Sequence, residues 1–110
     1  MKYVTHHDNT TTIDPNRTCL QGYIDCSYVQ LIQYFGKPLR GDGHKTDAEW
    51  LIKTEEGTVA TIYNWKNGPA YNGKYGTPVE RITRWNIGGH SKLAVHAVKD
   101  IVLGAVAQAA

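Results

Sequence analysis

The stretch Asp47-Ala48-Glu49-Trp50-Leu51-Ile52-Lys53-Thr54-Glu55-Glu56-Gly57-Thr58-Val59-Ala60-Thr61-Ile62-Tyr63-Asn64-Trp65 (DAEWLIKTEEGTVATIYNW) decides the fold. Residues Asp47 to Thr54 read as a strand, with Trp50 and Ile52 on one face and Leu51 and Lys53 on the other. A pleated chain sends successive side chains to opposite faces, so this two-residue period is its signature. Glu55-Glu56-Gly57 makes the turn, and Thr58 to Trp65 returns as a second strand. The pair predicts a β-hairpin with a short glycine-bearing loop. On the return strand Val59, Thr61, Tyr63 and Trp65 share one face; Thr58, Ala60, Ile62 and Asn64 share the other. Both faces carry apolar groups, which predicts a central strand covered on both sides.

Toward the C-terminus, Lys66 to Val79 (KNGPAYNGKYGTPV) reads as a long loop rich in glycine and tyrosine. Such long loops are uncommon and often functional. Its Lys66, Tyr71, Lys74 and Tyr75 suggest a binding loop; a mobile connector is the ordinary alternative. Glu80 to Ile87 (ERITRWNI) reads as a third strand, with Arg81, Thr83, Trp85 and Ile87 on one face and Arg84 opposite. Gly88-Gly89 is expected to end it. Ser91 then caps a helix whose Ala94, Val98, Ile101, Val102 and Ala105 form an apolar stripe.

Toward the N-terminus, Tyr28, Leu31, Ile32 and Phe35 give a helical stripe after the capping cluster Asp25-Cys26-Ser27. Gly36 and Pro38 stop that helix. Thr18 to Ile24 is a short extended stretch before it, and residues 1–17 read as a flexible arm or irregular lead-in. Within that arm, Thr10 to Ile13 is β-branched enough to pair with an edge. His6-His7 is a poor chelator, because neighbours on an extended chain diverge. The polar loop Lys37–Thr46 holds Lys37, Arg40, His44 and Lys45 against one acid, Asp42. Its Arg40-Gly41-Asp42 reads as a solvated turn.

The predicted class is therefore α+β: a small antiparallel sheet of three or four strands with two helices packed on one face, over residues 18–110 as a single domain. Its bare face is expected to carry Tyr and Trp, a surface suited to self-association or a ligand.

The chain has 110 residues and a formal charge of +2. That excludes a strongly acidic DNA mimic, and the pI of about 8.6 is below the usual footprint of a nucleic-acid binder. Its two cysteines, Cys19 and Cys26, are too few for a zinc site and read as reduced, small buried hydrophobes. No apolar run is long enough to span a bilayer, and no secretion signal opens the chain. A cytoplasmic setting is expected, with neither cofactor nor metal.

Chemistry has few candidates. Gly88-Gly89-His90-Ser91-Lys92 resembles a helix start able to hold phosphate on free N–H groups, although a plain strand–helix turn is the more ordinary reading. No nucleophile–base spacing suggests an enzyme. Basic and aromatic residues (Lys66, Tyr71, Lys74, Tyr75, Arg81, Arg84, Trp85 and Lys92) approximate a nucleic-acid surface, but the strand's positives divide between two faces.

Three segments together resemble small bacteriophage-encoded proteins without assigned function. They are Phe35-Gly36-Lys37-Pro38, the Trp50…Lys66 hairpin, and Trp85-Asn86-Ile87-Gly88-Gly89, spanning about residues 18 to 103. The resemblance implies a phage accessory protein inside a bacterium, inhibiting host defence by binding a defence complex or sequestering a nucleotide signal. The corresponding expectation is a non-enzymatic, homo-oligomeric binder. For a nucleotide, Tyr or Trp rings would stack the base, while the Gly88 to Lys92 turn with Arg84 or Arg40 nearby would hold phosphate. A nucleic-acid binder is the second expectation and a small hydrolase the third.

Overall fold

A computed structural model of the chain describes residues 2–8 and 13–109. Among the described residues the sheet has six antiparallel strands: β1 (Tyr3–Thr5), β2 (Cys19–Asp25), β3 (Leu39–Arg40), β4 (Ala48–Thr54), β5 (Val59–Tyr63) and β6 (Arg84–Gly89). Three α-helices accompany them: α1 (Tyr28–Phe35), α2 (Pro69–Asn72) and α3 (Leu93–Ala109). The α+β class stands, with more strands and one more helix than the sequence predicts. The strand order is β1-β4-β5-β6-β2, and β3 also pairs with β4.

The hairpin is the centre of this order. Its register sets Trp50 opposite Ile62 and Lys53 opposite Val59. Gly57 sits at φ +93°, a left-handed conformation that glycine adopts without steric cost. Ala48, Trp50, Ile52, Ala60 and Ile62 are buried with Trp85 and Ile87 of β6. Leu31 and Phe35 of α1, and Ala94, Val98, Ile101 and Val102 of α3, close the same cluster from above. Ile32 departs from its expected stripe and is exposed. Ala105 falls outside the described side chains.

Helix α1 begins as its sequence dictates. Ser27 Oγ accepts the Gln30 N–H at 3.1 Å, and Gln30 Oε1 accepts the Ser27 N–H at 2.9 Å. This reciprocal pair satisfies donors that a helix start leaves open. Gly36 ends the helix at φ +80°. Its carbonyl accepts the Trp50 indole N–H at 2.8 Å, tying the helix exit to the central hairpin.

The lead-in is partly ordered strand. Tyr3, Val4 and Thr5 pair with Thr54, Lys53 and Ile52, on the half of the β4 edge that β3 leaves open. Tyr3 donates its hydroxyl to Tyr34 O at 2.6 Å and packs edge-on against Phe35. The edge pairing expected at Thr10–Ile13 lies mostly outside the described residues; Ile13 itself is buried. Strand β6 starts four residues later than expected, because Val79–Arg81 form a single 3-10 turn. It also continues through Gly88 and Gly89 instead of stopping before them. Among the described residues, no helix is long and apolar enough to cross a membrane.

Candidate ligand-binding cleft

The sheet face turned away from α1 and α3 bears a cleft of about 350 Å³. Its floor is Thr61 and Tyr63 of β5, Glu49 of β4 and Gly88 of β6. These residues occupy neighbouring ladder positions: Glu49 opposes Tyr63, and Thr61 opposes Gly88. Pro15, Thr18 and Cys19 line one part of the wall, Asp42 and Thr46 another, and Trp65 completes the lining. The expected cover over the second face of β5 is therefore partial, and the gap in it is the cleft.

Gly88 shapes this floor. A Cβ there would stand 2.5 Å from Thr61 Oγ1 and 3.4 Å from Tyr63 Cε1. Gly89 serves the opposite face, where a Cβ would stand 2.3 Å from the Ala94 Cβ, so its bareness lets α3 approach the sheet. Both glycines lie between β5 and β2, and strand backbone groups point sideways toward neighbouring strands. Gly88 and Gly89 are therefore strand, where the sequence reads them as a turn, and only His90 to Lys92 join β6 to α3. Ser91 Oγ does accept the Leu93 N–H at 3.2 Å at the start of α3. Lys92 Nζ donates to Gln21 O, and a ring nitrogen of His90 donates to Asn16 O at 2.9 Å.

The remaining predicted site residues divide. Trp85 is fully buried, 5.3 Å from Trp50 in an edge-on contact, so its ring is core and not ligand surface. Arg84 is exposed and paired with Asp25 at 2.9 Å, away from the cleft. Arg40 is exposed on β3 and does not line the cleft. Tyr75 is 84% exposed, with Lys74 Nζ 5.2 Å from its ring centre. Lys66 and Tyr71 come together at 5.5 Å beside Trp65.

Trp65 is the residue that sequence reasoning leaves out of the site. It is 46% exposed, whereas the other two tryptophans are fully buried. Lys45 Nζ lies 5.4 Å from its ring centre and Lys66 Nζ 5.9 Å. The Lys66 N–H bonds to Lys45 O at 2.7 Å, bringing two distant loops side by side. His44 stands edge-on to Tyr71 at 5.9 Å. The result is a cationic, aromatic rim along one border of an acidic cleft.

Two polar networks hold this rim. Asp42 Oδ1 accepts the N–H groups of His44, Lys45 and Thr46 at 2.8, 2.8 and 3.0 Å. These bonds favour the ionised carboxylate and keep its pKa well below the usual range. Buried Asn64 accepts the N–H groups of Asp47 and Ala48 and donates to Asp47 Oδ2 and Asn67 Oδ1. Asp47 Oδ1 in turn accepts the Ala70 N–H at 2.8 Å. The segment after Lys66 is therefore anchored: it folds as α2 followed by a 3-10 turn at Gly73–Tyr75.

The floor titrates abnormally. Glu49 is raised by burial first and by the Asp42 charge second. Tyr63 is raised by burial, then by Glu49, Tyr23 and Cys19. Both thiols are free: Cys26 is buried, and burial with the Asp25 charge pushes it up to about 11. Cys19 departs from the expected buried role and is exposed at the cleft wall. Among the described residues, no group of three or more His, Cys, Asp or Glu side chains is placed to hold a metal ion. No family model, curated protein or solved structure matches the chain.

Proposed function

We propose that the protein is a non-enzymatic binder of a nucleotide, whose planar base stacks at Trp65 and whose phosphate meets Lys45 and Lys66. The observation carrying this reading is the half-exposed Trp65 ring flanked by two ammonium groups at the mouth of a cleft. Base–aromatic stacking is sequence-tolerant and contributes ~1–3 kcal/mol per base. The cleft volume falls within the usual range for small-molecule sites, roughly 300–1,000 Å³. Among the described residues no histidine lines the cleft, so Cys19 has no imidazole base beside it there, which favours binding over nucleophilic chemistry. The anion contact thus moves from the Gly88–Lys92 turn to the Trp65 rim.

The wider setting rests on pattern likeness alone: a phage accessory protein in the host cytoplasm, sequestering a nucleotide signal or occupying a defence complex. A second reading, single-stranded nucleic acid, gains from the Lys74–Tyr75 pair, which extends the lysine–aromatic series beyond Trp65 and Tyr71. Fluorescence separates these possibilities, because Trp65 is the tryptophan a ligand can reach. Nucleoside monophosphates should quench it, and Trp65→Ala or a Lys45→Glu/Lys66→Glu pair should abolish the calorimetric signal. Tighter binding of oligonucleotides with a steep salt dependence selects the second reading. Absence of any nucleotide or oligonucleotide binding at low salt removes both.

A further inference from the structure

We infer that Glu49 makes the cleft selective for guanine nucleotides. This deepens the nucleotide reading and rests on it. Glu49 lies on the cleft floor, half-buried, directly across the ladder from Tyr63. Among the described residues its carboxyl group has neither an ion-pair nor a hydrogen-bond partner. Its acidic neighbour differs: Asp42 spends one oxygen on three backbone N–H groups. The nearby ammonium groups of Lys45 and Lys66 stand at the Trp65 ring. Half-buried on the cleft floor, this carboxylate has no protein donor among the described residues to give up and is open to the donors of a bound ligand.

A base stacked at Trp65 directs its edge from the rim toward the floor. The two carboxylate oxygens of Glu49 accept best from two adjacent donors, as in any bidentate carboxylate pair. Guanine presents that pattern through N1–H and the N2 amino group. Adenine and cytosine set one amino group beside a ring nitrogen whose lone pair repels the carboxylate. Uracil flanks its single N–H with two carbonyl oxygens. The Tyr63 hydroxyl, also on the floor and without a protein partner among the described residues, supplies a donor for guanine O6. Phosphate remains at the cationic rim, with Lys45 and Lys66.

The test is calorimetric titration of the full chain with GMP, AMP, CMP, UMP and inosine monophosphate, which lacks the N2 amino group. GMP should bind about tenfold or more tightly than AMP, CMP and UMP, the discrimination that a good bidentate base contact gives. Inosine monophosphate should fall between. In Glu49→Gln, checked for folding by circular dichroism, the preference for GMP over the other four nucleotides should vanish, with GMP and inosine monophosphate the two that lose affinity. Equal binding of all five ligands overturns the assignment and leaves the stacking site standing. So does a guanine preference that survives Glu49→Gln, or an inosine affinity equal to that of GMP. Failure of every nucleotide to bind overturns the stacking site as well.

Discussion

Replacing Asn64 with alanine should unfasten the segment that carries the cationic rim. Asn64 is 1% exposed and makes four side-chain hydrogen bonds: Oδ1 accepts from Asp47 and Ala48 at 2.8 and 3.1 Å, and Nδ2 donates to Asp47 and Asn67 at 2.7 and 3.1 Å. The truncation leaves two backbone donors without acceptors at the entry to β4. Each buried unsatisfied group costs ~1–3 kcal/mol, and the Asp47 amide is only partly buried, so it belongs at the low end. Adding the lost donor to the Asp47 carboxylate gives a total of about 3–4 kcal/mol. A domain of this size has ~5–15 kcal/mol in all. At ~4 °C per kcal/mol the melting temperature should fall by roughly 12–16 °C. Hydrogen exchange adds a local readout, because the Ala70 amide bonds to Asp47 Oδ1 and should lose protection first. Asn64→Asp should also be damaging, since its second oxygen would face Asp47 Oδ2 and Asn67 Oδ1. A loss below about 1 kcal/mol for Asn64→Ala, with the Ala70 amide still protected, would refute the claim that this network anchors the loop.

The two buried tryptophans give a matched comparison. Trp50 donates to Gly36 O, whereas the Trp85 indole N–H has no protein partner among the described residues. Trp50→Phe should therefore cost ~1–3 kcal/mol more in urea unfolding than Trp85→Phe; equal losses would contradict it. Gly89→Ala would force a Cβ to within 2.3 Å of the Ala94 Cβ, and the overpacking should cost about 1–3 kcal/mol or more by the same assay. For pH, burial comes first in lowering His6 below its ordinary value. Its Nε2–H donates to Lys37 O, and Nδ1 accepts the Leu51 N–H, so the neutral ring fits both contacts. The unfolded chain takes up the proton at a higher pH than the folded one. Stability should therefore drop as pH falls through the ordinary histidine range, and the loss should be complete below the folded value. Melting temperatures followed downward from pH 7.5, compared with a His6→Ala variant of flatter response, check this.

The hairpin is legible in the sequence because its alternation is strict: Trp50, Ile52, Ala60 and Ile62 lie on the buried face as the two-residue period requires. Helix α1 is legible from Ser27 and Gly36, which bracket it chemically. β1 and β3 are not, since two or three residues carry no period, and they form on edges that β4 supplies. For β6 the alternation is right, but the sequence does not say which face is covered, so it offers Trp85 to a ligand when the ring is core. Gly88 and Gly89 look like a turn because glycine weakens strands. The reason for them is tertiary, a hydroxyl below one and a methyl above the other. Glu49 looks like any outward polar residue. Lys45 and Trp65 are twenty positions apart, and nothing local predicts the Lys66–Lys45 backbone bond that unites them.

That bond bears on how well the rim can bind. Lysines on free loops must be ordered when a ligand arrives, at a cost of ~0.5–1.5 kcal/mol for each immobilised side chain, with backbone ordering added. Here the backbone part is already met. The Lys45 N–H is held by Asp42, its carbonyl by Lys66, and the Lys66 carbonyl by the Asn72 amide at 2.8 Å. Lys66 itself keeps a left-handed φ of +58°, a conformation that non-glycine residues adopt only where their surroundings enforce it. The Arg40-Gly41-Asp42 turn, ordinary in sequence, thus acquires a specific role, because its single acid fixes the backbone beneath one of the two cations at Trp65. Asp42 neutralises part of the rim's charge, yet its Oδ1 is committed to backbone donors, which leaves the ammonium groups available at the ring. On the proposed nucleotide reading, side-chain ordering is then the main conformational cost a ligand meets at the rim.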